Sequence, residues 1–334
     1  MSEIEPEDEL RQIADLPLTA ENPAYSAAEM VTCPKCSRAN APNRFNCIYC
    51  GGELGTDGRQ IDPAKLKLRS AEDWEQGYNV VLLNAGSADF GRAASVLNLN
   101  RELLDEYAKS NQPMPVSRLS SRNEAEVIAE RLDGCGAAAR IVSDESLDAG
   151  HPPKRLRGIR FIGDGMLQLI SFSDGRPIDL RAEDVALIVC GTIRKSELAT
   201  SSKRKKGAFK AVEETATSSD TSVIDIFANG DAGGFRILST GFDFSGLGGE
   251  MTQLASKNIK ILTEKLRTAC PAARFDDRYD EISWLLDAAW PVEASRQSGG
   301  VQRGPIGGVE AKSVETSDNT KQFTRYSRLC FHLL

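Results

Sequence analysis

Cys33-Pro34-Lys35-Cys36 and Cys47-Ile48-Tyr49-Cys50 decide how the front of this chain folds. Two residues lie inside each pair, so both thiolates of a pair can reach one metal ion. The short insert between the pairs is long enough for a hairpin to bring them together. This is the spacing of a closed tetrahedral site of four thiolates. Zinc is the expected ion; iron or a dithiol redox pair are the competing readings. A segment from 31 to 54 is too short to bury a sufficient core, so the metal must supply its folding energy. Gly51 and Gly52 suit the tight turn that lets backbone N–H groups point at sulfur.

Outward from this segment, residues 1–30 are rich in Glu, Asp, Pro and Ala and are expected to be disordered. A polar linker is expected over 55–77. Tyr78 to Leu83 is a β-branched and apolar run that reads as a strand. Phe90, Ala93, Ala94 and Leu97 recur at helical spacing, and Leu103, Leu104 and Tyr107 mark a second helix that Pro113 and Pro115 end. Ser121 and Glu124 have capping-box spacing, which opens a third helix lined by Ala125, Ile128, Ala129 and Leu132. Ala138 to Val142 reads as a returning strand, so 78–143 is a small α/β domain. A stiff linker, 144–157, contains His151-Pro152-Pro153.

From 158 to 290 the pattern changes to short apolar runs separated by Gly163-Asp164-Gly165, Ser173-Asp174-Gly175 and Asn229-Gly230 turns. Leu254 to Thr268 is a helix with Ile259, Leu262 and Leu266 inward. Residues 199–221 are polar and are expected to form a long loop carrying the basic run Lys203-Arg204-Lys205-Lys206. The remainder, 291–334, reads as a Gly/Ser-rich mobile tail ending in a docking helix around Phe323, Tyr326 and Leu329. The expected fold class is multi-domain α+β: a metal-held N-terminal segment, a small α/β sandwich, then an antiparallel β domain closed by a helix.

Three resemblances follow from these residues. Cys33-Pro34-x-Cys36 with Cys47-x-x-Cys50-Gly51 resembles the zinc ribbons, with Ser37 where a glycine is usual; this implies one structural zinc and a small binding platform. Val80-Val81-Leu82, Ala85-Gly86, Leu97-x-Leu99, Glu124-Ala125 and Gly136-Ala137 resemble the C-terminal domain of the bacterial ribosomal stalk protein and the related N-end-rule protease adaptor. That resemblance implies protein binding through a compact helical face. The stalk protein's lysine-bearing face is represented in the first helix by Arg92 alone, so factor recruitment does not carry over. The 158–290 segment is similar to the pleckstrin-homology-like architecture, a strand meander closed by a helix.

Composition limits function. The chain has 334 residues, a net charge of −7 and 6% aromatics. An acidic balance argues against bulk affinity for nucleic acid or anionic membranes. A local phosphate or RNA contact through Lys203, Arg204, Lys205 and Lys206, with Lys154, Arg155, Arg157 and Arg160 nearby, is the exception to weigh. No apolar run approaches the roughly 18 residues of a membrane helix. The acidic MSEIEPEDEL start lacks the features of a secretory signal, so a cytoplasmic location is expected. Cys135, Cys190, Cys270 and Cys330 have no pairing rhythm and read as buried thiols.

Enzyme signals are poor. His151 and His332 lack a neighbouring nucleophile, Cys135 reads as a packing residue, and Gly246 to Gly249 lacks the Lys-Ser/Thr ending of a phosphate loop. The expectation is therefore a non-enzymatic zinc-binding adaptor or regulator with a protein partner and no small-molecule substrate. A ribosome- or nucleic-acid-associated factor is the alternative.

Overall fold

A computed structural model describes residues 25–55, 69–83, 91, 93, 94, 101–110, 112–205, 208–303 and 309–334. The chain divides into two compact units, Met1–Leu68 and Arg69–Leu334.

The described part of the first unit is a two-stranded ribbon, β1 (Val31–Thr32) against β2 (Ala39–Asn40), followed by a second loop closed by an Asn46–Glu53 bridge. Its small core is Cys33, Cys47 and Leu54, with Val31, Cys36 and Cys50 packed around it.

The second unit opens with β3 (Tyr78–Leu82), α1 (Arg101–Ser110), β4 (Met114–Leu119), α2 (Arg122–Asp133) and β5 (Ala139–Ser143). The strands form one antiparallel sheet in the order β4-β3-β5. The first expected helix, around Phe90 to Leu97, falls mostly outside the described residues. α2 starts as its sequence predicts: Glu124 N–H donates to the Ser121 hydroxyl at 3.3 Å. The other half of the capping box takes different partners. The Glu124 carboxylate accepts from Arg69 N–H at 3.2 Å and from the Ser120 hydroxyl at 3.1 Å. β4 has no counterpart in the sequence reading, which ended a helix at Pro113 and Pro115. It tolerates Pro115 because β4 is an edge strand and its pairing with β3 shifts register between Val80 and Val81.

After a single-turn helix, α3 (Asp144–Leu147), come β6 (Lys154–Gly163), β7 (Met166–Ser171), β8 (Pro177–Arg181), β9 (Val185–Lys205), β10 (Ala208–Ala228) and β11 (Asp231–Leu238). Then follow α4 (Ala255–Ala269), β12 (Arg274–Asp276), α5 (Tyr279–Ile282), β13 (Glu293–Arg303), β14 (Val309–Asp318) and α6 (Thr320–His332). The main sheet runs β13-β14-β9-β10-β11-β6-β7-β8, with β12 against β9. It is mixed: β11–β6 and β12–β9 pair parallel, and the other pairs are antiparallel. The architecture is α+β.

Ile259, Leu262 and Leu266 of α4 bury against Leu156, Leu169, Ile188 and Ile224 of this sheet. Each such burial is worth about 2 kcal/mol. Gly246 lies in a 3-10 turn over β6, where an added Cβ would stand 1.8 Å from the Ile159 carbonyl oxygen. Gly246 thus answers a close backbone approach.

Two segments differ from their sequence expectation. The expected loop 199–221 is the outer half of a long hairpin, in which β9 and β10 each span 21 residues. The expected mobile tail over 291–319 is a second hairpin, β13–β14, whose β14 pairs with β9 from Lys195 to Lys203. Both were obscured for the same reason. Residues 194–198 and 214–220 are exposed, so neither face carries the apolar alternation that marks a half-buried strand. The ladder of backbone hydrogen bonds, four strands wide, defines these strands instead.

Of the expected linkers, residues 56–68 lie outside the described residues, and the rest pack onto ordered elements. Residues 69–77 and 144–157 belong to the second unit: Arg69 carbonyl accepts from Ser120 N–H at 3.0 Å, and β6 begins at Lys154. Trp290 is fully buried and donates its indole N–H to the Asn79 side chain of β3 at 2.7 Å. Tyr107 of α1 donates to the Leu285 carbonyl at 2.7 Å. The terminal helix docks as predicted, with Phe323, Tyr326 and Leu329 buried. Phe323 meets Tyr279 edge to face at 4.9 Å. Among the described residues no helix is long and apolar enough to cross a membrane.

Candidate metal centre

The two Cys-x-x-Cys loops fold by the same local rule. In the first, Cys33 N–H donates to the Arg38 carbonyl at 2.9 Å and Ser37 N–H donates back to the Cys33 carbonyl at 2.8 Å. In the second, Cys47 N–H donates to the Gly52 carbonyl at 2.8 Å and Gly51 N–H donates to the Cys47 carbonyl at 2.9 Å. The third residue of each loop aims its N–H at the first sulfur: Lys35 to Cys33 Sγ and Tyr49 to Cys47 Sγ, both at 3.4 Å. Each turn closes through a left-handed residue, Gly51 at φ 69° and Ser37 at φ 58°. Glycine enters that region freely, whereas serine does so at a cost of about 1–2 kcal/mol.

This repetition brings the four sulfurs together. All lie within 4.8 Å of one another. Cys33 Sγ is 3.6 Å from Cys50 Sγ, and Cys36 Sγ is 3.6 Å from Cys47 Sγ. A tetrahedral ion with metal–sulfur bonds of about 2.3 Å requires sulfur–sulfur edges of about 3.8 Å, so the cluster matches the size of one such ion. Cys33 and Cys47 are buried, and Cys36 and Cys50 are half-buried. Among the described residues this is the one group of three or more His, Cys, Asp or Glu side chains placed to share a metal.

Asn40 joins the two loops and was missed by the sequence reading. Its side chain is buried. Nδ2 donates to the Arg38 carbonyl at 2.9 Å and to Cys47 Sγ at 3.4 Å, while Oδ1 accepts from Ile48 N–H at 3.0 Å. Asn40, Asn43 and Asn46 all lie between the two cysteine pairs, and no periodic signal singles out Asn40.

These donors shape the thiols. Burial pushes Cys47 up, but the N–H groups of Tyr49 and Cys50 and the Asn40 amide outweigh it and bring the thiol to about 6. For Cys36 the Arg38 N–H acts downward, and burial with the flanking Cys50, Cys47 and Cys33 sulfurs overrides it, to about 12. Four sulfurs this close cannot all ionise without a cation among them; a divalent ion removes that penalty by holding every ligand as thiolate.

No protein-family model, curated protein or solved structure matches this chain. The reading of the site rests on its own geometry.

The other singled-out residues do not join it. Lys203, Arg204 and Lys205 occupy the last positions of β9, next to the hairpin turn, and Lys206 lies outside the described residues. Lys154, Arg155, Arg157 and Arg160 fall within β6. Lys154 is paired with Asp231 at 3.3 Å, and Arg155 lies 3.9 Å from the Phe172 ring and donates to the Thr240 carbonyl at 3.0 Å. His151 is exposed and bonded to Asp148 at 2.7 Å. Cys135 is buried just beyond the end of α2, and His332 is the last residue of α6.

Proposed function

We propose that the chain holds one structural zinc ion through Cys33, Cys36, Cys47 and Cys50, and that it is a non-enzymatic adaptor or regulator binding another protein. The observation that carries the zinc reading is the four-sulfur cluster at tetrahedral spacing. Four thiolates close the coordination sphere and leave no position for water, which suits structure better than catalysis. When bound, the ion supplies folding energy to residues 31–54. The chain's own part is to converge the sulfurs through two matched turns and to direct N–H groups at them.

The protein-binding reading is supported by Ile48 and Tyr49, apolar side chains 55% and 52% exposed at the tip of the second cysteine loop. The resemblance of residues 78–143 to the stalk-protein and protease-adaptor domain points the same way. A nucleic-acid- or ribosome-associated role is the second reading. It draws on the basic run beside the β9–β10 turn, and it requires affinity that falls steeply with salt.

Elemental analysis of purified protein tests the foundation. One zinc per chain, lost in Cys33→Ser, is expected; one iron per chain, or no metal, overturns the zinc assignment. Capture from the native cell with wild type, Ile48→Ser/Tyr49→Ser and the four-cysteine variant then tests the partner class. A partner lost with both variants supports the adaptor. Capture dominated by salt-sensitive nucleic acid favours the second reading.

A further inference from the structure

Among the described residues of the second unit four arginines are buried: Arg118, Arg236, Arg325 and Arg328. Three are hydrogen-bonded. Arg118 is saturated, donating to Asp144 at 2.6 and 2.9 Å and to the carbonyls of Ala71, Glu72 and Glu75. Arg236 grips Asp225 through two 2.7 Å bonds and donates to Thr324. Arg328 donates to the His151 carbonyl at 2.8 Å. Arg325 differs. Its side chain is 8% exposed, it makes no hydrogen bond among the described residues, and its nearest acid, Asp73, stands 3.9 Å away. Burial, reinforced by the Arg118 cation, disfavours its charge.

A buried guanidinium without acceptors is costly, and charged groups in this position are ordinarily matched by an anion. Arg325 lines a cleft of about 410 Å³ whose walls also include Trp74, Asp73, Lys321 and Thr324. The cleft sits over the first two turns of α6, where Thr320, Lys321, Thr324 and Arg325 fall on one helix face by their spacing. The other cations are engaged: Lys321 pairs with Glu293, and Arg118 with Asp144. Arg325 keeps only the 3.9 Å ion pair with Asp73, without a hydrogen bond. At the rim stands Trp74, an indole 82% exposed that presents an apolar plane.

We propose that this cleft binds the carboxylate of a small organic acid, with Arg325 as its two-pronged anchor and Trp74 as the platform for the acid's apolar body. The guanidinium fork fits a planar carboxylate through two parallel bonds. Asp73, Glu75 and Asp144 also line the cleft, so a singly charged group is favoured over a phosphate dianion. Asp73 is half-exposed and acts as the internal competitor for Arg325. This site is independent of the zinc and adaptor reading.

The test titrates full-length protein with phenylacetate, neutral phenylacetamide and inorganic phosphate, read by tryptophan fluorescence and calorimetry. Phenylacetate should bind saturably, at least about tenfold more tightly than the amide or phosphate, since a charge-assisted pair of bonds separates them. Trp74→Phe should remove the fluorescence response. Arg325→Met should weaken phenylacetate about tenfold or more while leaving the melting temperature equal or higher, because it removes a largely buried charge held by a single 3.9 Å ion pair. Asp73→Asn, a half-exposed change that keeps the fold, should tighten binding severalfold. Absence of saturable phenylacetate binding overturns the proposal. So does equal affinity for phosphate, unchanged affinity in Arg325→Met, or weaker binding in Asp73→Asn.

Discussion

The cysteine ribbon at 31–54 and the body at 69–334 solve the same problem by opposite means. The ribbon's buried cluster is Cys33, Cys47 and Leu54, two of which belong to the four-sulfur group placed to hold a metal. One cluster of the body alone joins eighteen buried residues from five strands, α4 and the turns beside them. A short segment cannot remove enough apolar surface from water to offset its chain entropy, so its order depends on ligand bonds. The body has surface to spare and can bury ion pairs such as Arg236–Asp225. The lesson is that each unit should respond to its own perturbation and ignore the other's.

The largest effect should come from the metal. Chelation or Cys33→Ser should remove about 10–16 kcal/mol of binding energy that is also folding energy, and residues 31–54 should lose exchange protection. The thermal transition of the body should not move. A joint collapse in scanning calorimetry would break the comparison.

Next in size is Asp225→Ala. It strands the Arg236 guanidinium, which has two 2.7 Å bonds to Asp225, and deprives the Ser327 hydroxyl of its 2.7 Å acceptor. Urea unfolding should show a loss of about 3–5 kcal/mol in the body with zinc content unchanged.

Asn40→Ala sharpens the contrast inside the ribbon. It leaves all four ligands in place but removes the link between the loops. Chelator competition should report metal affinity about 10–100-fold lower, the usual cost of losing an outer partner of a ligand. The smallest change is Ser37→Gly. Relief of a left-handed serine, partly offset by added freedom in the unfolded chain, should raise metal-bound stability by about 1 kcal/mol or less. If Ser37→Gly weakens metal retention, the equivalence of the two turns is wrong.

Legibility in the sequence followed locality. The metal site could be read because its ligands sit in two short repeats and each turn closes on itself. α2 and α4 could be read because caps and a 3.6-residue period are local properties. β4 was hidden by Pro113 and Pro115, since only its edge position makes a proline acceptable there. The outer halves of β9 and β10, and β13–β14, were hidden because both faces are polar. Asn40 was hidden because its partners belong to loops on either side of it, and Arg325 because its lack of a hydrogen bond is a relation among distant residues.

The linear order of residues by itself determined where four sulfurs could converge, which helices form and how they begin, and that the charge balance is acidic. Only the tertiary structure decided that polar segments join as a wide sheet, that Trp290 ties to Asn79, and that among the described residues one buried arginine is left without a side-chain hydrogen bond. Backbone pairing between remote strands and the desolvation of a charge depend on what surrounds a residue in space, and no local pattern encodes that.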